Sequence, residues 1–190
     1  MLGIKMQFYK IILSTFLMAS LGGCVPNAVR YYRPAVDGGK LLMPRCVPTE
    51  SIVEFRLPDA NGRLHVRAWA NNGKHINQIN LFFSGKAWKT IQFASTNFQI
   101  HDFEKQVITD ASSVLAYISD STSNLTTESY SAPPERPGLF RFHVQVNSSD
   151  PLPSNFELQT PTISVDGETM TFPSIRFEQK LWLGISPLNC

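Results

Sequence analysis

The stretch SIVEFRLPDANGRLHVRAWANNGKHINQINLFF, residues 51–83, decides the fold. Val53, Phe55 and Leu57 share one parity, with Glu54 and Arg56 on the other; Leu64, Val66, Ala68 and Ala70 repeat the pattern, then Ile79, Leu81 and Phe83. Such alternation marks half-buried β-strands, because successive side chains point to opposite faces. The runs are separated by DANG and NNG, and Asn-Gly favours a tight hairpin because both residues tolerate positive φ. Centring hairpins on Asn61-Gly62 and Asn72-Gly73 pairs Leu57 with Val66, Phe55 with Ala68 and Val53 with Ala70, then Val66 with Ile79 and Leu64 with Leu81. Both turns lay one apolar face across three strands, and a slip of one residue would mix the faces.

The same register describes the other face. It sets Arg56 opposite Arg67, with Arg63 and His65 along the middle strand. Like charges opposed across a sheet destabilise it, and guanidinium forks fit carboxylate and phosphate. Arg56, Arg63, Arg67 and His65 are therefore expected to face an anionic partner, such as a lipid headgroup, a polysaccharide or an acidic protein. The alternative is relief by Glu54 and by solvent. Trp69 lies on this parity opposite Ile76, with Phe82 further along, so a loop, a second sheet or a partner is expected to cover it.

The C-terminal third follows the same logic. GLFRFHVQVN, residues 138–147, sets Phe140, Phe142, Val144 and Val146 against Arg141, His143, Gln145 and Asn147. In residues 155–180 a turn at Asp166-Gly167 pairs Ile163 with Met170, Leu158 with Ile175 and Phe156 with Phe177. The apolar parity changes on both arms beside Pro161 and Pro173, which predicts a hairpin bent at its middle that passes from one sheet to another. Two short strands are expected around 91–93 and 98–100, SSVLAYI at 112–118 fits a strand or a short helix, and the polar, proline-bearing stretch 119–138 reads as a long loop. About eight short strands with regular turn signals predict an all-β, antiparallel β-sandwich over residues 51–190. It is loosely similar to the immunoglobulin or transthyretin type.

The front end reads as an address. Lys5 and Lys10 precede the uncharged run IILSTFLMASLGG, residues 11–23, which is the layout of a secretory signal. A run of about 13 residues is too short to span a bilayer, which takes roughly 20. The ending Leu21-Gly22-Gly23-Cys24 resembles the lipobox of bacterial lipoproteins. That resemblance implies cleavage after residue 23 and a diacylglycerol on the sulfur of Cys24. With Val25 rather than Asp following, it also implies the outer membrane, facing the periplasm. The alternative is an ordinary signal peptide cut nearby. Residues 24–50 hold four prolines and an Asp-Gly-Gly, and read as a lipidated N-terminus with a tether. The aromatics of YYRP within it are expected to lie down on the domain, with a contact motif as the alternative.

Removing residues 1–23 takes away two of the 17 lysines and arginines and none of the 15 acids, so the remaining chain is formally neutral. A global electrostatic case for nucleic acid fails. Cys46 and Cys190 are the remaining thiols, and an oxidising compartment makes a disulfide between them the expectation, with two free thiols as the alternative. No catalytic constellation is found: there is no G-x-S-x-G, no C-x-x-C and no phosphate loop. His101, Asp102 and Glu104 in HDFE form a local cluster that most simply is solvated, and no metal or cofactor is expected. The function expected is a non-enzymatic, lipid-anchored binding or assembly module. The alternatives are an accessory subunit of a secretion or surface-appendage machine, recognised through a sheet edge, or an envelope hydrolase.

Overall fold

A computed structural model describes residues 26–43, 51–57, 64–71, 77–86, 90–118, 129–131, 139–165 and 167–185. Within them the regular structure is entirely β-strand: β1 (Pro26–Ala35), β2 (Lys40–Leu42), β3 (Ile52–Arg56), β4 (His65–Ala70), β5 (Gln78–Lys86), β6 (Thr90–Phe93) and β7 (Asn97–Asp102), followed by β8 (Val107–Ile118), β9 (Ser129–Ser131), β10 (Leu139–Ser148), β11 (Asn155–Gln159), β12 (Ile163–Val165), β13 (Glu168–Met170) and β14 (Ile175–Ile185). They form a ten-stranded sheet, β1-β14-β11-β7-β8-β10-β5-β4-β3-β2, and a four-stranded sheet, β13-β12-β6-β9. The all-β, antiparallel expectation is met, but an eight-strand sandwich is not what the chain builds.

The large sheet curls almost into a barrel, and the sequence forces it to. Its two margins are β1 and β2, yet only residues 36–39 separate them. The five Cα steps from Ala35 to Lys40 reach at most about 18 Å, so the margins must come together. The turn depends on its glycines. Gly38 has φ 71°, and a Cβ on Gly39 would strike the side chains of Val36 and Val53.

The predicted apolar faces point inward. Leu57, Leu64, Val66, Ala68, Ile79, Leu81 and Phe83 are fully buried, and they join Phe98, Val146, Phe156, Leu158, Ile175 and Phe177 in one core. The small sheet closes that core. Phe93 of β6 packs edge-on against Phe83 at 5.8 Å between ring centres, and Phe172 lies against Phe55 and Phe83 at 5.6 and 5.9 Å. The bent hairpin is as expected. Phe156–Phe177 and Leu158–Ile175 pair in the large sheet, while Ile163–Met170 pairs in the small one. Gly167, at φ 87°, supplies the positive dihedral of its turn. Residues 112–118 are strand rather than helix, and the strands expected near 91–93 and 98–100 are β6 and β7.

Two expectations change. The meander registers are offset, by two residues in the first hairpin, where Val53 pairs with Ala68 and Phe55 with Val66, and by four in the second, where Val66 pairs with Phe83 and Ala68 with Leu81. The faces survive because two is the side-chain period of a strand. The last described pairs are Leu57–Leu64 and Asn71–Gln78, and Asn61-Gly62 and Asn72-Gly73 between them lie outside the described residues. Nor are residues 26–35, assigned to the tether, free of the domain. They pair along their whole length with β14, from Pro26–Ile185 to Ala35–Arg176. Tyr31 and Tyr32 are buried, so the YYRP aromatics do lie down on the body, and the Tyr32 hydroxyl donates to the Leu152 carbonyl at 2.8 Å. Pro26 and Pro34 fit because β1 is a margin strand, where a missing ladder donor costs little.

Candidate functional site

The best-developed polar surface lies on the outer parity of β4, β5 and β10. Pairing aligns Arg67, Phe82 and His143 in one row across the three strands, and Trp69, Asn80 and Gln145 in the next. The His143 and Trp69 rings come from strands on either side of β5 and stack at 5.6 Å, with planes 21° apart. Beneath them Asn80 is only 2% exposed. A buried amide must be bonded on both ends, and this one is: its Nδ2 donates to Asn71 Oδ1 at 2.8 Å, and its Oδ1 lies 2.9 Å from His143 Nε2. That places the His143 proton on Nε2. The chain of amides continues, with Asn71 Nδ2 donating to Gln78 Oε1 at 2.5 Å and Gln78 Nε2 to Asn147 Oδ1 at 3.3 Å. The result is a half-buried aromatic and amide surface with fixed donors and acceptors.

Burial holds the His143 pKa below the ordinary histidine value, because the imidazolium is poorly solvated there. The unfolded chain therefore takes up the proton first as pH falls. The stability contribution is full above the ordinary histidine range and is lost as pH drops through the depressed folded value. The thermal midpoint between about pH 8 and pH 5 is expected to fall more steeply in the wild type than in His143→Gln. Parallel curves would show that this ring does not control the slope.

The arginine cluster is arranged differently from the expectation. The two-residue offset sets Arg67 opposite Glu54 and Arg56 opposite His65. Arg67 Nε donates to Glu54 Oε2 at 2.6 Å, so the predicted Arg56–Arg67 opposition does not occur, and Glu54 relieves Arg67. Arg63 lies outside the described residues. An exposed pair of this kind contributes about 0–1 kcal/mol.

HDFE proves to be a turn. Asp102 Oδ1 accepts from the backbone N–H groups of Glu104 at 2.9 Å and Lys105 at 3.1 Å, which closes the link from β7 to β8. Gln106, at φ 55°, completes it, its side-chain amide donating to the Phe103 carbonyl at 2.7 Å. His101 packs its ring on Phe103 at 5.0 Å, and the Arg176 guanidinium lies 4.9 Å from the centre of the same ring. Beside the turn opens a cleft of about 610 Å³, lined by Asp102, Glu104, Lys105, Asp150 and Leu152 among others, but not by His101. A second cleft of about 530 Å³ lies between residues 35–37 and 173–176, with Glu157 and Arg176 on its walls. Among the described residues, no three of His, Cys, Asp and Glu converge as metal ligands.

Cys24, Cys46 and Cys190 lie outside the described residues, as do the signal and the lipobox. Among the described residues no helix is long and apolar enough to cross a membrane. Comparison with family models, curated proteins and solved structures finds no match to this chain. The amide chain escaped sequence reasoning because β5 and β10 are neighbours only in space. Phe82 pairs with His143 across 60 intervening residues, and no local pattern signals that pairing.

Proposed function

We propose that this chain is an envelope lipoprotein, acylated at Cys24 and held on the periplasmic face of the outer membrane, where it acts as a non-enzymatic binding or assembly module. The observation that carries the binding half is the aromatic and amide surface around Trp69, Asn80 and His143. Its polar atoms are paired with one another and held by sheet geometry, which suits recognition of a surface laid against it. Two of the groups that a hydrolase could use are committed elsewhere. The Asp102 carboxylate caps a turn, and His143 is tied to an amide rather than to a nucleophile.

The appendage-subunit alternative is not favoured by the sheet margins. β1 carries Pro26, Arg30, Arg33 and Pro34, and β2 is three residues long, both of which discourage addition of a partner strand. The lipobox carries the anchoring half, and the same oxidising compartment would let Cys46 and Cys190 bridge.

One experiment addresses both halves. In cells, the wild type is expected in the membrane fraction with an acylated N-terminal mass, and Cys24→Ser in neither state. A photo-crosslinker at Arg67 is expected to capture a partner, whereas one at Glu168, on β13, is not. An unmodified Cys24 ends the anchored reading. Equal capture from the two positions ends the assignment of the face.

A further inference from the structure

The two most exposed large apolar residues described are Leu181, 58% exposed, and Leu183, 71% exposed, and both sit near the end of β14. There the sheet thins to a ribbon. β11 reaches no further along β14 than the Asn155–Glu178 pair, closed by the Gln179 N–H donating to the Ser154 carbonyl at 2.6 Å. Beyond that level β14 has only β1 beside it among the described residues, with Tyr31–Lys180 through Pro26–Ile185 paired.

This ribbon carries apolar side chains on both faces, with Arg30 among them on one and Lys180 on the other. Leu181 and Leu183 continue the inward parity of Phe177, opposite Arg30 and Ala28. The reverse face carries Val29 opposite Trp182, whose ring lies across Gly184 so closely that a Cβ there would collide with it. The antiparallel order also settles which end of the sheet this is. Following the strands from β14 across to β2, the start of β8 and the end of β2 fall at the same end. All five exposed large apolar residues described, Met43, Val107, Ile108, Leu181 and Leu183, therefore gather at one end of the body.

We infer that this end rests on the lipid bilayer, with the 26–31/180–185 ribbon inserted in the headgroup layer. The inference rests on acylation of Cys24. Cys24 is two residues before Pro26, and two peptide units span at most about 7 Å, so an acyl anchor would be fixed at the tip of the ribbon. A protein partner docked on a sheet covers one face. A ribbon with apolar side chains and a cation on each side is matched by a medium that surrounds it, and the interfacial layer accepts apolar segments to a depth of roughly 5–10 Å. Trp182 suits that layer, with an apolar ring and one N–H donor. Arg30 can lay its stem along the leucines and reach phosphate with its head. The domain is thereby seated on the membrane rather than lifted from it by a tether.

The test uses full-length acylated protein extracted from membranes and reconstituted in vesicles of phosphatidylethanolamine and phosphatidylglycerol. Trp69→Phe and Trp88→Phe leave Trp182 as the reporter, and brominated lipids act as quenchers. Intact mass first establishes the acyl chains. Trp182 is expected to lose about half of its emission or more, as a ring buried at interfacial depth would. Adding Leu181→Asp and Leu183→Asp is expected to abolish most of that quenching while leaving the mass and thermal midpoint unchanged, since both positions are exposed. An acylated protein whose Trp182 is unquenched, or is quenched equally with both aspartates present, overturns the seating alone. A protein without acyl chains overturns the seating and the anchored reading together.

Discussion

Phe177→Ala is expected to lower the unfolding free energy by about 3–5 kcal/mol, which for a chain of this size is a thermal midpoint drop of about 10 °C. Phe177 is fully buried in β14 and stacks on Phe156 at 4.9 Å between ring centres, with planes 12° apart. Phe156 in turn meets the edge of Tyr32 at 5.7 Å. Three neighbouring strands thus bring rings to one point, and removing the ring of the middle strand, β14, leaves a cavity that β1 and β11 cannot both move to fill. Leu181→Ala, on the same strand and the same face, is expected to change stability by less than about 0.5 kcal/mol, because its side chain is mostly in solvent. Calorimetry on the two variants makes the comparison. A Phe177→Ala loss no larger than that of Leu181→Ala would mean that the core does not close around β14 as described.

The second large effect is expected at Asn80. Asn80→Ala deletes both ends of a bridge, and leaves His143 Nε2–H and Asn71 Oδ1 facing each other across an empty space beneath two rings. Each buried group left without a partner costs about 1–3 kcal/mol, so a loss of about 2–3 kcal/mol is expected. The Trp69–His143 stack should loosen as well, and the His143 ring proton resonances would report it. Asn80→Asp does not simply restore the site, because it places a carboxylate against the imidazole and favours the charged ring. A full-stability Asn80→Ala protein with an undisturbed His143 would show that the amide chain is incidental to the fold.

The strand faces were legible because period-two alternation fixes parity, and parity survives an even offset. The registers were not. Asn61-Gly62 and Asn72-Gly73 are strong local signals for two-residue turns, but the pairing formed is displaced by two and by four residues from the ones they imply. A usable signal was present in the charges, since the register implied by Asn61-Gly62 opposes Arg56 to Arg67, whereas the register formed opposes Glu54 to Arg67. At Asp166-Gly167 the local signal and the pairing agree, and the predicted register is the one formed. β1 was missed because its prolines read as irregular chain. They are tolerated only because the strand lies at a margin, and nothing in NAVRYYR states where its partner is. Of the candidate residues, Asp102 was legible as part of a cluster but not as a turn cap, and the aromatic and amide surface required knowledge that β10 lies beside β5.

The pairing of β1 with β14 joins residues some 150 positions apart, Pro26 with Ile185 at the extreme. A chain made or threaded from its front must hold β1 idle until residues 175–185 emerge. Only then can β1 and β14 zip together, so a truncated product lacking residues 175–185 is left with an unsealed seam and should be degraded or aggregate rather than persist.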